Sequence, residues 1–266
     1  MWRTLVSGPL ALPISLTQAK KHLREDGSDQ DYIIDALIRA AAESVQNETD
    51  RQLVTATHDV AFDAFPGGAW RMPRAPLRSV THVNFLDTSG TPQTLATTVY
   101  LVDKAREPGR ISLAYQQVWP PTYSVPNAVT VRQISGYATP FTADAATDVL
   151  AAPGHPYASG ELVRLSTTEN DLPAPLSPNT DYYARDVVAG VSLKLALTSG
   201  GAAIDITDQG VGIHFLGAVP QPLIAAMLLT IGHGYENRES VNVGSSVTEM
   251  PLAAQSLIAP YRLSMI

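Results

Sequence analysis

The longest run of apolar periodicity in the chain is Val219–Glu239, VPQPLIAAMLLTIGHGYENRE. Ile224, Leu228, Ile231 and Tyr235 recur at helical spacing on one face. Leu223, Met227 and Leu229 widen that face until the first three turns are apolar nearly all round, so the helix must be enclosed by its own chain or by neighbouring subunits. Pro220 and Pro222 suit its entry and first turn, where a missing N–H costs little. From His233 onward the pattern turns polar, and the helix end is expected at a surface.

Two further helical patterns lie near the start. Ser15-Leu-Thr-Gln18 has the spacing of a capping box and introduces a short helix through about Arg24. Ile34, Leu37, Ala41 and Val45 mark a second helix from Tyr32 to about Arg51. The acidic stretch between them, Glu25–Asp31, lacks the alternating ligands and distal glutamate of a calcium loop, and reads as a turn with an N-cap aspartate. After Arg51 the period changes to two. Strands are expected around Val60–Phe62, Val80–Leu86, Val99–Asp103, Arg110–Tyr115 and Ala128–Ile134, a small antiparallel sheet, sandwich or barrel. The loop at Trp119 is expected to bury that ring against the sheet.

Residues 139–217 differ in kind: charges are sparse, Thr, Ala, Asp and Gly abound, and no helical period exists. Strands at Leu162–Ser166, Asp181–Asp186 and Ser192–Ala196 with glycine turns between them predict an inserted β module. Pro251–Arg262 reads as a short helix broken at Pro260.

Composition narrows the function classes. The 266 residues include no cysteine, which removes disulfides, thiolate nucleophiles and cysteine zinc sites. A formal charge of −7 argues against gripping nucleic acid through its phosphates, and suits a surface that DNA passes without sticking. The first residues lack the pattern of a secretory signal, and the apolar helix ends by Ile231, short of the roughly 20 residues that span a bilayer. His22, His58, His82, His155, His214 and His233 include no pair at helical metal-ligand spacing. There is no nucleophile elbow, phosphate loop or dinucleotide fingerprint. No catalytic residue, metal site or cofactor is expected. Tyr182, Tyr183 and Trp119 can be read as sugar platforms, the basis of an alternative carbohydrate-binding or carbohydrate-active reading; the competing reading buries those rings in the core.

Several of these residues together carry a resemblance. The opening helices, Trp119-Pro120, Val129-Thr-Val131, Gly136-Tyr137, Pro220 through Tyr235-Glu-Asn-Arg238, Met250-Pro-Leu252 and Leu257-Ile-Ala-Pro-Tyr-Arg262 resemble the head-tail connector (adaptor) family of long-tailed bacteriophages. Residues 139–217 depart from it and resemble a small β module of phage virion proteins, through Phe141-Thr-Ala-Asp-Ala145, Leu165-Ser-Thr-Thr168 and Asp181-Tyr-Tyr183. The resemblance implies an α+β fold: a helical connector core of two N-terminal helices and a long helix near the C-terminus, a small antiparallel β-sheet, and an inserted all-β domain. The expected division is 1–138, 139–217 and 218–266.

It further implies a non-enzymatic virion protein of the neck, made in the host cytoplasm. Such proteins form a homo-oligomeric ring, commonly of twelve subunits, between the portal protein and the next neck or tail-completion protein, with DNA passing through and no membrane involved. On this reading Leu223, Met227, Ile231, Tyr235 and Arg238 are subunit-interface candidates, and Leu252, Leu257, Tyr261 and Arg262 are portal-contact candidates. The alternative within virion proteins is a tail-completion or decoration component whose β module binds capsid or carbohydrate.

Overall fold

A computed structural model describes residues 2–169, 171–178, 180–237 and 251–263. It corrects the expected fold class: the protein is mostly β, 32% strand against 21% helix, and its largest sheet is a nearly closed barrel. The chain divides into two compact units, one from Met1–Pro9 and Thr55–Gly136, the other from Leu10–Val54 and Tyr137–Arg262.

The first unit is all β. Strand β1 (Trp2–Ser7) pairs antiparallel with β2 (Ala56–Phe62), followed by β3 (Trp70–Arg71), β4 (Leu77–Leu86), β5 (Pro92–Thr94), β6 (Tyr100–Asp103), β7 (Arg110–Leu113) and β8 (Val129–Ser135). One sheet has the order β1-β2-β8-β4-β5 and a second the order β3-β7-β6. The period-two reading holds in β2, where Ala56, His58 and Val60 are buried and the residues between them face outward. The core joins Val83, Val129 and Val131 to Trp70, Met72, Tyr100 and Ile111. Trp119 does pack here, stacked on Phe65 at 4.9 Å and on Trp70 at 5.3 Å. Asp87 closes the turn after β4 by accepting from the Ser89 hydroxyl at 2.6 Å, the Thr91 amide, the Gln93 side chain and the Ser89 amide, and these bonds, the hydroxyl's first, lower its pKa to about 2.

The second unit joins helices to the barrel. Helix α1 (Leu16–Leu23) starts where the capping pattern places it, Ser15 Oγ accepting from Gln18 N at 3.0 Å. Helix α2 (Asp31–Thr49) begins after Gln30, which makes no side-chain cap, so the expected N-cap aspartate is instead the first helical residue, Asp31. Seven strands follow: β9 (Ala138–Asp144), β10 (Val149–Ala151), β11 (Leu162–Val163), β12 (Leu165–Thr167), β13 (Tyr182–Val188), β14 (Ser192–Ala196) and β15 (His214–Gly217). Their order is β11-β13-β14-β10-β9-β15-β12. The two end strands β11 and β12 are separated in sequence by Arg164 alone, so the sheet has to curl round until its edges meet. Phe141, Leu150, Tyr182, Leu193, Leu195 and Leu216 alternate inward and fill the interior.

The chain enters and leaves the barrel side by side, Ala138 lying opposite Gly217. Gly217 has φ +86, and a Cβ there would sit 2.5 Å from the Tyr137 carbonyl oxygen, so no other residue fits without a backbone shift. Helix α3 (Gln221–Glu236) then packs on α2, and α4 (Leu252–Ile258) with a 3-10 turn (Ala259–Tyr261) packs on α3. Ile34, Ile38, Val45, Leu223, Met227, Ile231, Ala254 and Ile258 share this core with Ala138 and Phe215 at the barrel's foot.

Candidate interaction surfaces

The helical candidates separate by burial. Leu223, Met227 and Ile231 have no exposed surface, and their apolar wrapping is satisfied inside the chain. Within the single chain these three interface candidates lie in the helical core. Tyr235 is half-buried and donates its hydroxyl to Glu25 Oε2 at 3.0 Å, tying the end of α3 to the turn after α1. Arg238 lies outside the described residues.

The C-terminal candidates sit on the helical core. Ala254 and Ile258 are fully buried, and Leu257 and Tyr261 pack against the same cluster. Arg51, 6% exposed, clasps this segment: its Nε donates to the Tyr261 carbonyl at 2.6 Å, its Nη1 donates to the Tyr137 hydroxyl, and its guanidinium lies over both tyrosine rings. Arg262 pairs with Glu48 at 2.5 Å. Leu252, 81% exposed, stands clear, and Ala253, Ser256, Ala259 and Pro260 continue an uncharged outer face with it.

Sequence reasoning missed three features. One is the clasp, because Arg51 follows a helix and reads as an ordinary terminal cation. A second is Glu169, which accepts from Ser15 Oγ at 2.6 Å and pairs with Lys21 at 3.1 Å, latching the barrel to the start of α1. Beside that latch is a notch of roughly 60 Å3 lined by Gln18, Thr167, Phe215 and Ile224, room for little more than water. The third is β1, whose Trp2, Leu5 and Val6 are 69%, 57% and 45% exposed on a sheet edge.

The histidines are structural or exposed. His155 Nε2 lies 3.1 Å and 3.2 Å from the carbonyls of Val188 and Ser192. His214 bridges the Thr167 hydroxyl and the Gln209 carbonyl, and burial lowers its pKa. His58 is held neutral in the first unit, its pKa lowered to about 4 by burial and then by the charges of Arg3 and Arg74. Among the described residues no three His, Asp or Glu side chains gather as metal ligands, and no helix is long and apolar enough to cross a membrane. Tyr182 is 2% exposed, with its hydroxyl on the Ser177 backbone, and Trp119 lies in the aromatic stack; neither presents a ring as a sugar platform.

Charge is divided unevenly. The first unit holds eight Lys and Arg against five Asp and Glu, net +3, and the second holds ten against twenty, net −10. Within the second, residues 138–217 carry three against nine, net −6. The acidity of the chain is therefore largely that of the barrel and helical unit.

No protein-family model and no curated protein matches the chain. Solved structures do. A chain of the virion of the native gene transfer agent (GTA) particle aligns at TM-score 0.58 and 15% identity. Chains in the neck of the empty GTA particle, computed with C6 symmetry, and in the neck of the native particle, computed with C12 symmetry, align at 0.56 and 0.55, each at 16% identity. Every one of these likenesses covers 100% of this chain and 97% of the solved one. The chain shares its fold with chains of gene transfer agent particles and their necks.

Proposed function

We propose that this chain is a structural protein of a phage-type neck, forming a homo-oligomeric ring between the portal and the tail-completion proteins around the DNA channel. The observation that carries this reading is the end-to-end likeness of fold to chains of gene transfer agent particles, two of them in neck structures computed with C6 and C12 symmetry. A ring of copies accounts for those symmetries, and the net charge of −7 favours DNA passing without being held. The uncharged outer face of α4, led by Leu252, is the part of the C-terminal segment available to a portal while the Arg51 clasp is closed. The barrel would be an accessory module, entered and left at one point.

Electron microscopy of the particle that carries this protein tests the reading. Density for this fold in a ring at the capsid vertex is the expected result; density on the capsid lattice or at the tail tip would reject it.

A further inference from the structure

Among the described residues six strands end their sheets, and five of them are protected. Strand β5 is three residues long and begins with Pro92, β3 and β11 are two residues long, β12 is three, and β6 is four and flanked by an ion pair between Asp103 and Arg110. Short strands, proline and charge are the usual means by which sheet edges avoid pairing with other chains. Strand β1 has six residues, no proline, and one charged side chain, Arg3. Five of its six residues are exposed, among them Trp2, Leu5 and Val6. Among the described residues its outer edge has no strand neighbour in the sheet.

We infer that β1 is a self-assembly edge, covered in the ring by the acidic barrel of the next copy. The inference rests on the ring proposed above and names its contact surfaces. Charge complementarity selects the partner: β1 belongs to the unit of net +3, while residues 138–217 carry −6. The barrel also has a matching apolar patch. Val188 at the end of β13 and Val191 in the turn after it are 54% and 55% exposed, and the exposed Asp186 carboxylate two residues before Val188 pairs with Arg185 at 3.2 Å. A contact of β1 on one copy with this turn on the next is heterologous, the type from which cyclic rings are built. A six-residue strand is about 20 Å long and buries only a fraction of the roughly 800 Å2 per partner of a stable interface. The strand is the apolar centre of the contact, and the oppositely charged surfaces around it supply the remainder.

The absence of cysteine makes the test clean. Full-length Leu5→Cys and Val188→Cys variants are mixed and oxidised under conditions where the unmodified protein forms rings, on portals if it does not do so alone. The expected result is a disulfide-linked dimer that requires both variants and exceeds by at least about tenfold the yield with Tyr32→Cys, a control residue that is 75% exposed on α2. Yield equal to that control overturns the inference, as does efficient linking of Leu5→Cys to itself, which would mean a two-fold contact between β1 edges. Rings that form without the Leu5–Val188 link reject the inference and leave the neck reading standing; failure to form rings even on portals rejects both.

Discussion

His58 gives the most quantitative expectation. Its imidazole is 5% exposed, faces Gln133 across the sheet, and has its pKa lowered from 6.5 to about 4. The unfolded chain therefore binds a proton more readily than the folded one between those values. Stability from the neutral ring is complete above about pH 6.5 and is lost as the pH falls toward 4. Taken at face value the shift removes about 2 kcal/mol between pH 7.5 and pH 5, and screening by nearby solvent brings this nearer 1 kcal/mol. Trp2, Trp70 and Trp119 are the three tryptophans and all lie in the same unit as His58, so their fluorescence during urea unfolding follows that unit alone. The measurement compares wild type with His58→Gln at pH 7.5 and pH 5. Carboxylates titrate equally in both proteins and cancel in the difference. Wild type should lose about 1 to 2 kcal/mol more than the variant; parallel losses would mean that His58 is protonated in the folded state and that the burial argument is wrong.

Three other perturbations probe the helical and barrel unit. Arg51→Met removes the clasp and leaves the Tyr261 carbonyl and Tyr137 hydroxyl short of a donor; a loss of about 2 to 3 kcal/mol is expected, together with faster proteolysis after α3, and an unchanged cleavage rate would contradict it. Gly217→Ala should cost about 2 kcal/mol or more of stability and lower the thermal midpoint measurably, because the new methyl meets a backbone oxygen at φ +86; calorimetry showing no shift would refute the close approach. Replacing residues 139–217 by a two-residue linker should leave the helices folded on circular dichroism but cost about 3 to 5 kcal/mol, since Phe215 leaves their core. Complete loss of helicity would show that the barrel is integral to that core.

How far the sequence could be read depended on the range of the interactions. Helical periodicity is local, so α1, α2 and α3 were legible, along with the entry prolines of α3 and the burial of its apolar face. Several strands of the first unit were legible for the same reason. The fold class was not, because its decisive feature is sheet closure. β9 contains Pro140, β10 is three residues long, and β15 ends in a glycine; none has the alternating β-branched run that marks a strand. Their pairing partners lie far along the chain, as with Thr139 and Leu216, and propensity carries no record of such pairings.

The candidate surfaces divide in the same way. Sequence alone determined that Val219–Ile231 must be enclosed, that thiol chemistry is absent, and that the net charge is negative. Only the tertiary structure decided what does the enclosing. Leu223, Met227 and Ile231 are sealed by α2 and α4 of the same chain, and periodicity cannot tell an intrachain partner from a neighbouring subunit. Likewise nothing in the sequence pattern singles out Trp2, Leu5 and Val6. Their exposure follows from the place of β1 at the end of its sheet, which topology sets and composition does not.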